Sequence, residues 1–336
     1  MNAPTQATEV QLASRPHGAP TLENFTVANT AIPSPGEGQL LVRNSVISVD
    51  PYMRGRMSDR KSYSAPYELG RAMQGGAVGE VVESTVDGFK PGDHVLHFEG
   101  WRTHAVIDAK TAVKVDGAVS PLSNYLGVLG MTGLTAYAGL FRVAGFKAGD
   151  TVFVSGAAGA VGSIVGQLAK LNGAKRVIGS AGTPEKVKWL VEELGFDAAF
   201  NYKDGPVVDQ LREAAPEGID VYFDNVGGEH LEAAIDSMNL NGRIAVCGMI
   251  SQYNATEPTP APRNLATIIA KRFTMTGMLV GDHYDLQPKF VAEVAPLVAS
   301  GQLKHSETFV DGIENAPQAF IDMLEGANTG KMLVRV

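Results

Sequence analysis

Cysteine is almost missing from this sequence: there is one, Cys247, in 336 residues. A lone cysteine excludes any disulfide within the chain and any cysteine-rich zinc cluster. An excess of positive charge is missing too, the formal net charge being -8. That balance argues against nucleic acid and anionic membrane as partners, while leaving room for a local basic pocket. No run of about eighteen apolar residues occurs, which excludes a membrane-spanning helix. The opening MNAPTQATEV has neither a basic n-region nor an apolar h-region, so a cytoplasmic location is expected. Internal repeats, low-complexity tracts and charge runs are absent as well. What remains is ordinary globular material, 44% hydrophobic and 19% charged, long enough for two domains.

The organisation of the chain changes near residue 122. Before it, short alternating runs such as Leu40 to Val46, Gly79 to Val82 and Ala105 to Ile107 are separated by Pro/Gly turns including PSPGEG and KPGD, as in an all-β barrel. After it, the strand-like runs RVIGSAG, AAFNYK, VYFDNVGG, RIAVCGMI and FTMTGMLV appear, with helical patterns at Glu185 to Leu194, Val207 to Ala214 and Glu229 to Met238 between the earlier ones. That alternation predicts an α/β fold with a doubly wound parallel sheet. A last helix, Ala316 to Glu325, and a terminal strand, Met332 to Val336, are expected to fold back onto the first domain. The expected domains are therefore 1–122 with 293–336, and 123–292. The stretch NATEPTPAPRNL, 254–265, is too rich in proline for a helix or strand interior and reads as a lid or a plain surface connection.

The densest glycine pattern is TVFVSGAAGAVGSIVGQLAK, Thr151 to Lys170. Val152 to Val154 read as a buried strand, and Ile164, Leu168 and Leu171 recur at helical spacing, which predicts a helix starting near Gly159. Gly159 and Gly162 form G-x-x-G, with Ala157 where the dinucleotide fingerprint has its first glycine, so backbone amides can approach a pyrophosphate at a helix N-terminus. The same glycines could instead serve tight strand–helix packing alone. Proteins that select the unphosphorylated ribose place Asp or Glu roughly 20 residues after the glycines. Here that place reads Gly179, Ser180, Ala181, Gly182, with Lys186 one turn into the next helix. The missing acid and the added base favour NADP.

The segments SVDPYMRGRM, GMTGLTAYAGL, GAAGAVGS, FNYK, FDNVGGE, CGMISQYN and GANTGKM resemble, in order and spacing, the medium-chain reductase superfamily. More narrowly they are similar to its zinc-free branch of prostaglandin and leukotriene reductases, alkenal double-bond reductases and bacterial curcumin reductases. The resemblance spans nearly the whole chain and implies a Rossmann domain beside a GroES-like barrel, with a cofactor groove between them. It also implies NADPH as cofactor. Ala158, Gly159, Ala160, Val161 and Gly162 would cradle the pyrophosphate, and Lys186 with Tyr202 would hold the 2′-phosphate. Asn225, Cys247, Gly248 and Ser251 would line the ribose and nicotinamide, Leu279 and Val280 the nicotinamide, and Asn328 would reach in from the returning C-terminal segment. Singly, Asn225 and Asn328 could be turn residues before glycine, and Cys247 a small buried hydrophobe. In the resembling family the strand at RFTMTGMLV meets a two-fold mate, which implies a homodimer.

No metal is expected. The zinc ligand positions of related alcohol dehydrogenases fall here on Ser48, Met73 and Met131, which do not make a zinc site. His94 and His97 in DHVLHFEGWRTH would face opposite ways on one strand and read as surface histidines of the barrel. Cys247, in a strand-like run beside glycine, lacks an adjacent base and does not read as a nucleophile. Without a Lewis acid, the reaction that suits the chain is hydride addition to the β-carbon of an enone or enal, with the charge passing to the carbonyl oxygen. Tyr253 in ISQYN is the first candidate donor to that oxygen, and Tyr52 and Tyr63 are expected to shape the pocket from the barrel side. The proton for the α-carbon could come from Tyr253, the cofactor ribose or water. A quinone reductase, or an NADPH-binding sensor or structural protein without turnover, are the competing readings. The particular enone, whether an alkenal, a diarylheptanoid or an oxidised lipid, is not legible.

Overall fold

The computed structural model describes residues 6–336. It divides into two compact units: the described residues up to Gly127 together with Glu307–Val336, and Val128–Ser306. In the first unit β1 (Gln6–Leu12) and β2 (Phe25–Ala31) form an antiparallel pair. Then follow β3 (Gln39–Ser48), the single turn α1 (Met53–Arg56), β4 (Ala77–Ser84), β5 (His94–His97), β6 (His104–Asp108) and β7 (Val113–Val115). Alternation along these strands sends Leu40, Val42, Val81, Val95, Ala105 and Ile107 into one apolar cluster.

The second unit is doubly wound. It runs α2 (Met131–Ala138), β8 (Thr151–Val154), α3 (Gly162–Leu171), β9 (Arg176–Ala181), α4 (Pro184–Glu192) and β10 (Ala198–Asn201). It continues through α5 (Val207–Ala214), β11 (Ile219–Asp224), α6 (Gly228–Ser237), β12 (Met238–Val246), α7 (Thr267–Lys271), β13 (Thr274–Gly277) and α8 (Gln287–Ala299). Six strands lie parallel in the order β10-β9-β8-β11-β12-β13. The chain winds outward from β8 to β10 and then crosses back to β11, so the order reverses between β8 and β11. In open α/β sheets, ligands bind outside the carboxyl ends of the strands at such a switch point.

Past Ser306 the chain returns to the first unit as β14 (Glu307–Asp311), α9 (Ala316–Leu324) and β15 (Lys331–Arg335). β15 pairs with β14 in parallel and with β3 antiparallel, completing a sheet in the order β14-β15-β3-β4-β5-β7, with β6 on β3. Trp101, Met53, Met57, Phe320 and Met332 fill a second core beneath it. The turn Leu122–Leu126 packs on β4, and α8 packs on α2 within the second unit. The compact units therefore differ from the ranges 1–122 with 293–336 and 123–292 by those short segments.

Two expectations need correction. The helix after the glycine turn begins at Gly162 and not near Gly159. Residues 156–161 make a separate turn, in which Gly156 has φ +57° and its carbonyl accepts from the Gly159 amide at 3.0 Å. The second correction is His97, which is buried and not a surface residue. It faces away from His94 as strand alternation requires, but its inward face meets a polar partner: Nε2 lies 2.8 Å from Asn44 Oδ1. Glu99 N donates to Nδ1 at 3.1 Å, so Nε2 carries the proton and donates to Asn44. Burial pushes this imidazole down to about 3, which keeps it neutral.

Candidate active site

The site is built from the carboxyl end of β8. Beyond Val154 the chain turns through Ser155 and Gly156, and the Ala157 amide donates to Ser180 O at 2.9 Å, tying the turn to β9. A Cβ on Gly162 would lie 2.6 Å from Gly156 O, so only glycine lets α3 start this close to the turn. Val161 caps α3 without a side-chain hydrogen bond, and the first-turn amides of Ser163 and Ile164 donate to Gly159 O and Val161 O at 3.1 Å, which draws the glycine turn tight against the positive end of the helix. Ala158, Gly159, Ala160, Val161 and Gly162 thus form a side-chain-poor cradle of the shape a pyrophosphate needs.

Across the switch point a buried carboxylate fastens three strands. Asp224, the last residue of β11, is fully buried. Its Oδ1 accepts from the Tyr222 hydroxyl at 2.7 Å, Val226 N at 2.9 Å and Gly227 N at 2.8 Å, with Ser155 Oγ at 3.3 Å. Its main-chain carbonyl accepts from the Cys247 and Gly248 amides at 2.9 and 3.0 Å. Burial raises the Asp224 carboxyl above its ordinary value, and the hydrogen bonds from Gly227, Tyr222, Val226 and Ser155 oppose that rise. Sequence reasoning missed both Asp224 and Ser155, which read as plain strand-end residues. The signal was an acid at the end of an otherwise apolar strand.

Around this lock the structure gathers Asn225, Cys247, Gly248, Ser251 and Tyr253. Asn225 donates Nδ2 to Ser155 O at 2.8 Å and its amide to Ser155 Oγ at 3.0 Å. Ser251 Oγ donates to Val226 O at 2.6 Å, fixing the 3-10 turn Ile250–Gln252 that carries Tyr253. The Tyr253 hydroxyl lies 3.3 Å from where a Cβ on Gly248 would stand, so the bare glycine makes room for the phenol. Burial, with the Asp224 charge, pushes the Cys247 thiol up to about 12, which leaves it a protonated thiol and no nucleophile. Leu279 and Val280 follow β13 at the same end of the sheet, held there by Met278 N donating to Val246 O at 2.9 Å. Arg263 and Asn264, at the far end of the proline-rich stretch, bond to Glu232 and Asp236 of α6.

At the ends of β9 and β10 the expected pair is also together. Thr183 caps α4 by accepting from the Lys186 amide at 3.3 Å. Tyr202 stands against Gly182, where a Cβ would come within 3.1 Å of its Cε1 and hydroxyl. The Lys186 ammonium is held below its ordinary value by burial and by the charge of Lys203. No carboxylate occupies the end of β9.

The remaining candidates belong to the first unit. The Tyr52 ring packs on the Trp101 core, and its buried hydroxyl has no hydrogen-bond partner among the described residues. Burial raises this phenol far above its ordinary value, and Asp50, Tyr67 and Tyr63 add to the rise. Tyr63 is exposed, and Asn328 donates Nδ2 to Gly330 O at 2.7 Å within its own turn. A feature not foreseen lies beneath Tyr52: Lys331 and Asp50 form a buried ion pair at 3.1 Å. Of the positions that align with zinc ligands, Ser48 Oγ donates to Asp50 Oδ2, Met73 lies in the apolar core and Met131 opens α2. Among the described residues, no group of three or more His, Cys, Asp or Glu could hold a metal ion, and no helix is long and apolar enough to cross a membrane.

Comparison with known proteins places this geometry. A family model described as the N-terminal domain of oxidoreductase matches residues 8–115, and one described as zinc-binding dehydrogenase matches 160–297. The NADPH-dependent curcumin reductase of Escherichia coli is 44% identical, covering 97% of this chain and 95% of that protein. The chain belongs to the medium-chain reductase superfamily, in the branch of prostaglandin and alkenal reductases. Another member of that branch, the NADP(+)-dependent 2-alkenal reductase of Nicotiana tabacum, is 45% identical over 90% of this chain and 88% of its own length. Among solved structures, CurA of Vibrio vulnificus in complex with NADPH superposes with a TM-score of 0.93 at 43% identity, covering 98% of this chain and 99% of that one. The zinc of the second family description has no counterpart in the ligand positions of this member, which are a hydroxyl in a buried network and two thioethers.

Proposed function

We propose that this reductase uses NADPH to reduce the carbon–carbon double bond of α,β-unsaturated ketones and aldehydes. The observation that carries the reading is the convergence at the β8/β11 switch point. There a glycine cradle at a helix N-terminus, a carboxylate-locked Asn225–Gly248 floor and the Tyr253 phenol meet at one end of one sheet. Relatives that reduce curcumin and 2-alkenals support the substrate class. NADPH supplies the hydride when bound. The residues of this chain do the rest: the turn from Ala158 to Gly162 receives the pyrophosphate, and Lys186 with Tyr202 binds the 2′-phosphate. Asn225, Cys247, Gly248, Ser251, Leu279 and Val280 orient the ribose and nicotinamide, and Asn328 is the contribution of the C-terminal segment. Tyr253 donates to the carbonyl oxygen as negative charge develops there, a charge that exists only in the transition state and after it. Tyr52 and Tyr63 are the pocket-shaping tyrosines of the barrel. A reducing cytoplasm suits a chain whose single cysteine is kept as a thiol.

The test is NADPH consumption with a conjugated enone, with the product identified by mass spectrometry. The saturated ketone is expected, at an unchanged rate after exhaustive chelation. An allylic alcohol product, turnover with benzoquinone alone, or loss of activity restored by zinc would each overturn the reading.

We also propose a homodimer formed along β13. Among the described residues this strand has β12 on one side and no strand on the other, and Thr274, Thr276 and Gly277 are exposed on it, next to exposed Leu279. An open edge of this kind is costly unless paired. Light scattering at micromolar concentration is expected to give twice the chain mass, and Gly277→Pro, which removes a donor on the open edge because Met278 N, the next amide along, points to β12, should shift the mass toward the monomer. A monomeric wild-type mass would refute the dimer.

A further inference from the structure

We propose that Ser155 is a positioning residue for hydride transfer: with the Asp224 carboxylate behind it, it sets Asn225 toward the nicotinamide half of the cofactor and keeps the turn of Tyr253 in register; this rests on the NADPH reading above. Ser155 is fully buried where β8 ends, directly before the glycine turn. Its amide donates to Phe223 O at 3.2 Å, which continues the pairing of β8 with β11 past Val154. Its Oγ lies 2.9 Å from the Tyr222 hydroxyl and 3.3 Å from Asp224 Oδ1, and it accepts from the Asn225 amide at 3.0 Å. Asp224 Oδ1 takes the next two amides, Val226 N and Gly227 N, so three successive amides are fixed on one buried polar cluster. The Ser155 carbonyl fixes the Asn225 side chain as well. It lies 2.8 Å from Nδ2, and since a carbonyl only accepts, the amide group stands in one of its two orientations. Oδ1 therefore faces away from Ser155, and half-buried Asn225 offers a ligand an acceptor. In the nicotinamide half of the cofactor the matching donors are the carboxamide nitrogen and the ribose hydroxyls.

The carbonyl edge of the same segment carries the rest of the site. Asp224 O accepts from Cys247 N and Gly248 N, Asn225 O from Ile250 N at 3.3 Å, and Val226 O from Ser251 N at 3.2 Å and Ser251 Oγ at 2.6 Å. Residues 224–226 are thus pinned by Ser155 and Asp224 along one edge and hold residues 247–251 along the other. The two lines meet at Gly248, where a Cβ would lie 3.3 Å from the Tyr253 hydroxyl and 3.4 Å from Asn225 O, so the phenol and the Asn225 main chain stand over one bare Cα. On the other flank, Asn225 Cβ and Val226 Cγ2 come within 3.5 and 3.6 Å of where a Cβ on Gly156 would stand, against the start of the pyrophosphate turn. One buried serine therefore joins the turn that receives the phosphates, the amide that meets the nicotinamide half and the segment that brings the phenol. Displacing such a frame by about 1 Å costs up to about a hundredfold in rate.

The experiment measures binding and single turnovers of the full chain. The two ligands are NADPH and adenosine 2′,5′-bisphosphate, the half of the cofactor without nicotinamide, each titrated by calorimetry. Asn225→Ala, the reference, is expected to weaken NADPH about tenfold, the size of one hydrogen bond, and to leave the bisphosphate unchanged. Ser155→Ala is expected to weaken NADPH about three- to tenfold, again without effect on the bisphosphate, and the double variant should bind NADPH within about twofold of Asn225→Ala, because the two residues act as one. When the NADPH complex is mixed with a conjugated enone, the absorbance of NADPH should fall about ten- to a hundredfold more slowly in Ser155→Ala, with full amplitude. Asp224→Asn, which keeps an oxygen for the Val226 and Gly227 amides and removes the charge, should show the same pattern and carries the test if Ser155→Ala does not fold. A reduced amplitude at the wild-type rate, equal weakening of both ligands, or multiplied losses in the double variant would make Ser155 merely structural and overturn the positioning role. If Asn225→Ala fails to discriminate between the ligands, or the wild-type complex leaves the enone unreduced, the reading beneath the proposal falls together with it.

Discussion

Lys331→Met is expected to destabilise the barrel by about 3–5 kcal/mol, the cost of leaving one partner of a buried ion pair without its counterion. The Lys331 and Asp50 side chains are 5% and 4% exposed, and Lys331 Nζ also donates to Val49 O at 2.8 Å and Met332 O at 2.9 Å. Methionine fills the volume of the stem but strands the Asp50 carboxylate and two carbonyl groups. Ser48 Oγ, which also donates to Asp50, cannot offset a whole charge. Asp50→Asn combined with Lys331→Met removes that charge and should recover much of the loss, because the desolvation penalty disappears with it. Trp101 is fully buried in the same unit and donates Nε1 to Ser48 O, so its fluorescence in a Trp189→Phe background reports this unit during urea unfolding. A loss below about 1 kcal/mol would place the pair with weak surface pairs and remove it as a determinant of the turn that carries Tyr52.

That pair also shows where reading the chain ended. The β8 turn was legible because glycine spacing and a β-branched run are local signals, and the helices α4, α5 and α6 carry apolar residues at helical period. Asp50 and Lys331 stand at opposite ends of the chain, and nothing local marks them as partners. The same holds for His97, whose facing was legible while its burial was not, since the compensating amide of Asn44 comes from another strand. The helix α2 was hidden for a different reason. Its glycine, Gly133, lowers helix propensity, yet a Cβ there would lie 2.0 Å from Val128 O and 2.7 Å from the Phe290 ring of α8. Close helix approach demanded the residue that obscured the helix. The Asp224 lock was hidden in a motif whose glycines drew the eye, although the carboxylate is what orders them.

Tyr253→Phe is expected to lower turnover by about a hundred- to a thousandfold, or about 2.7–4 kcal/mol, where the phenol is the principal donor to the developing enolate oxygen, and by less where the cofactor ribose shares the load. The substitution preserves the ring that stands beside Gly248 and the turn fastened by Ser251, so only the hydroxyl is lost. NADPH affinity should stay nearly constant, because the residues assigned to the phosphates lie on the glycine turn and at the ends of β9 and β10. An interaction made in the transition state and not with the bound ground state reduces kcat and kcat/KM together. Tyr52→Phe should act differently. Its hydroxyl is buried without a partner among the described residues, so its removal costs little stability, and as a substrate-positioning contact it should raise KM more than it lowers kcat. Steady-state enone reduction, with NADPH binding followed separately by fluorescence, distinguishes the two. Wild-type turnover in Tyr253→Phe would transfer the donor role to the cofactor ribose and water. A parallel fall in NADPH binding would instead make Tyr253 a cofactor contact, with the carbonyl oxygen left to another group.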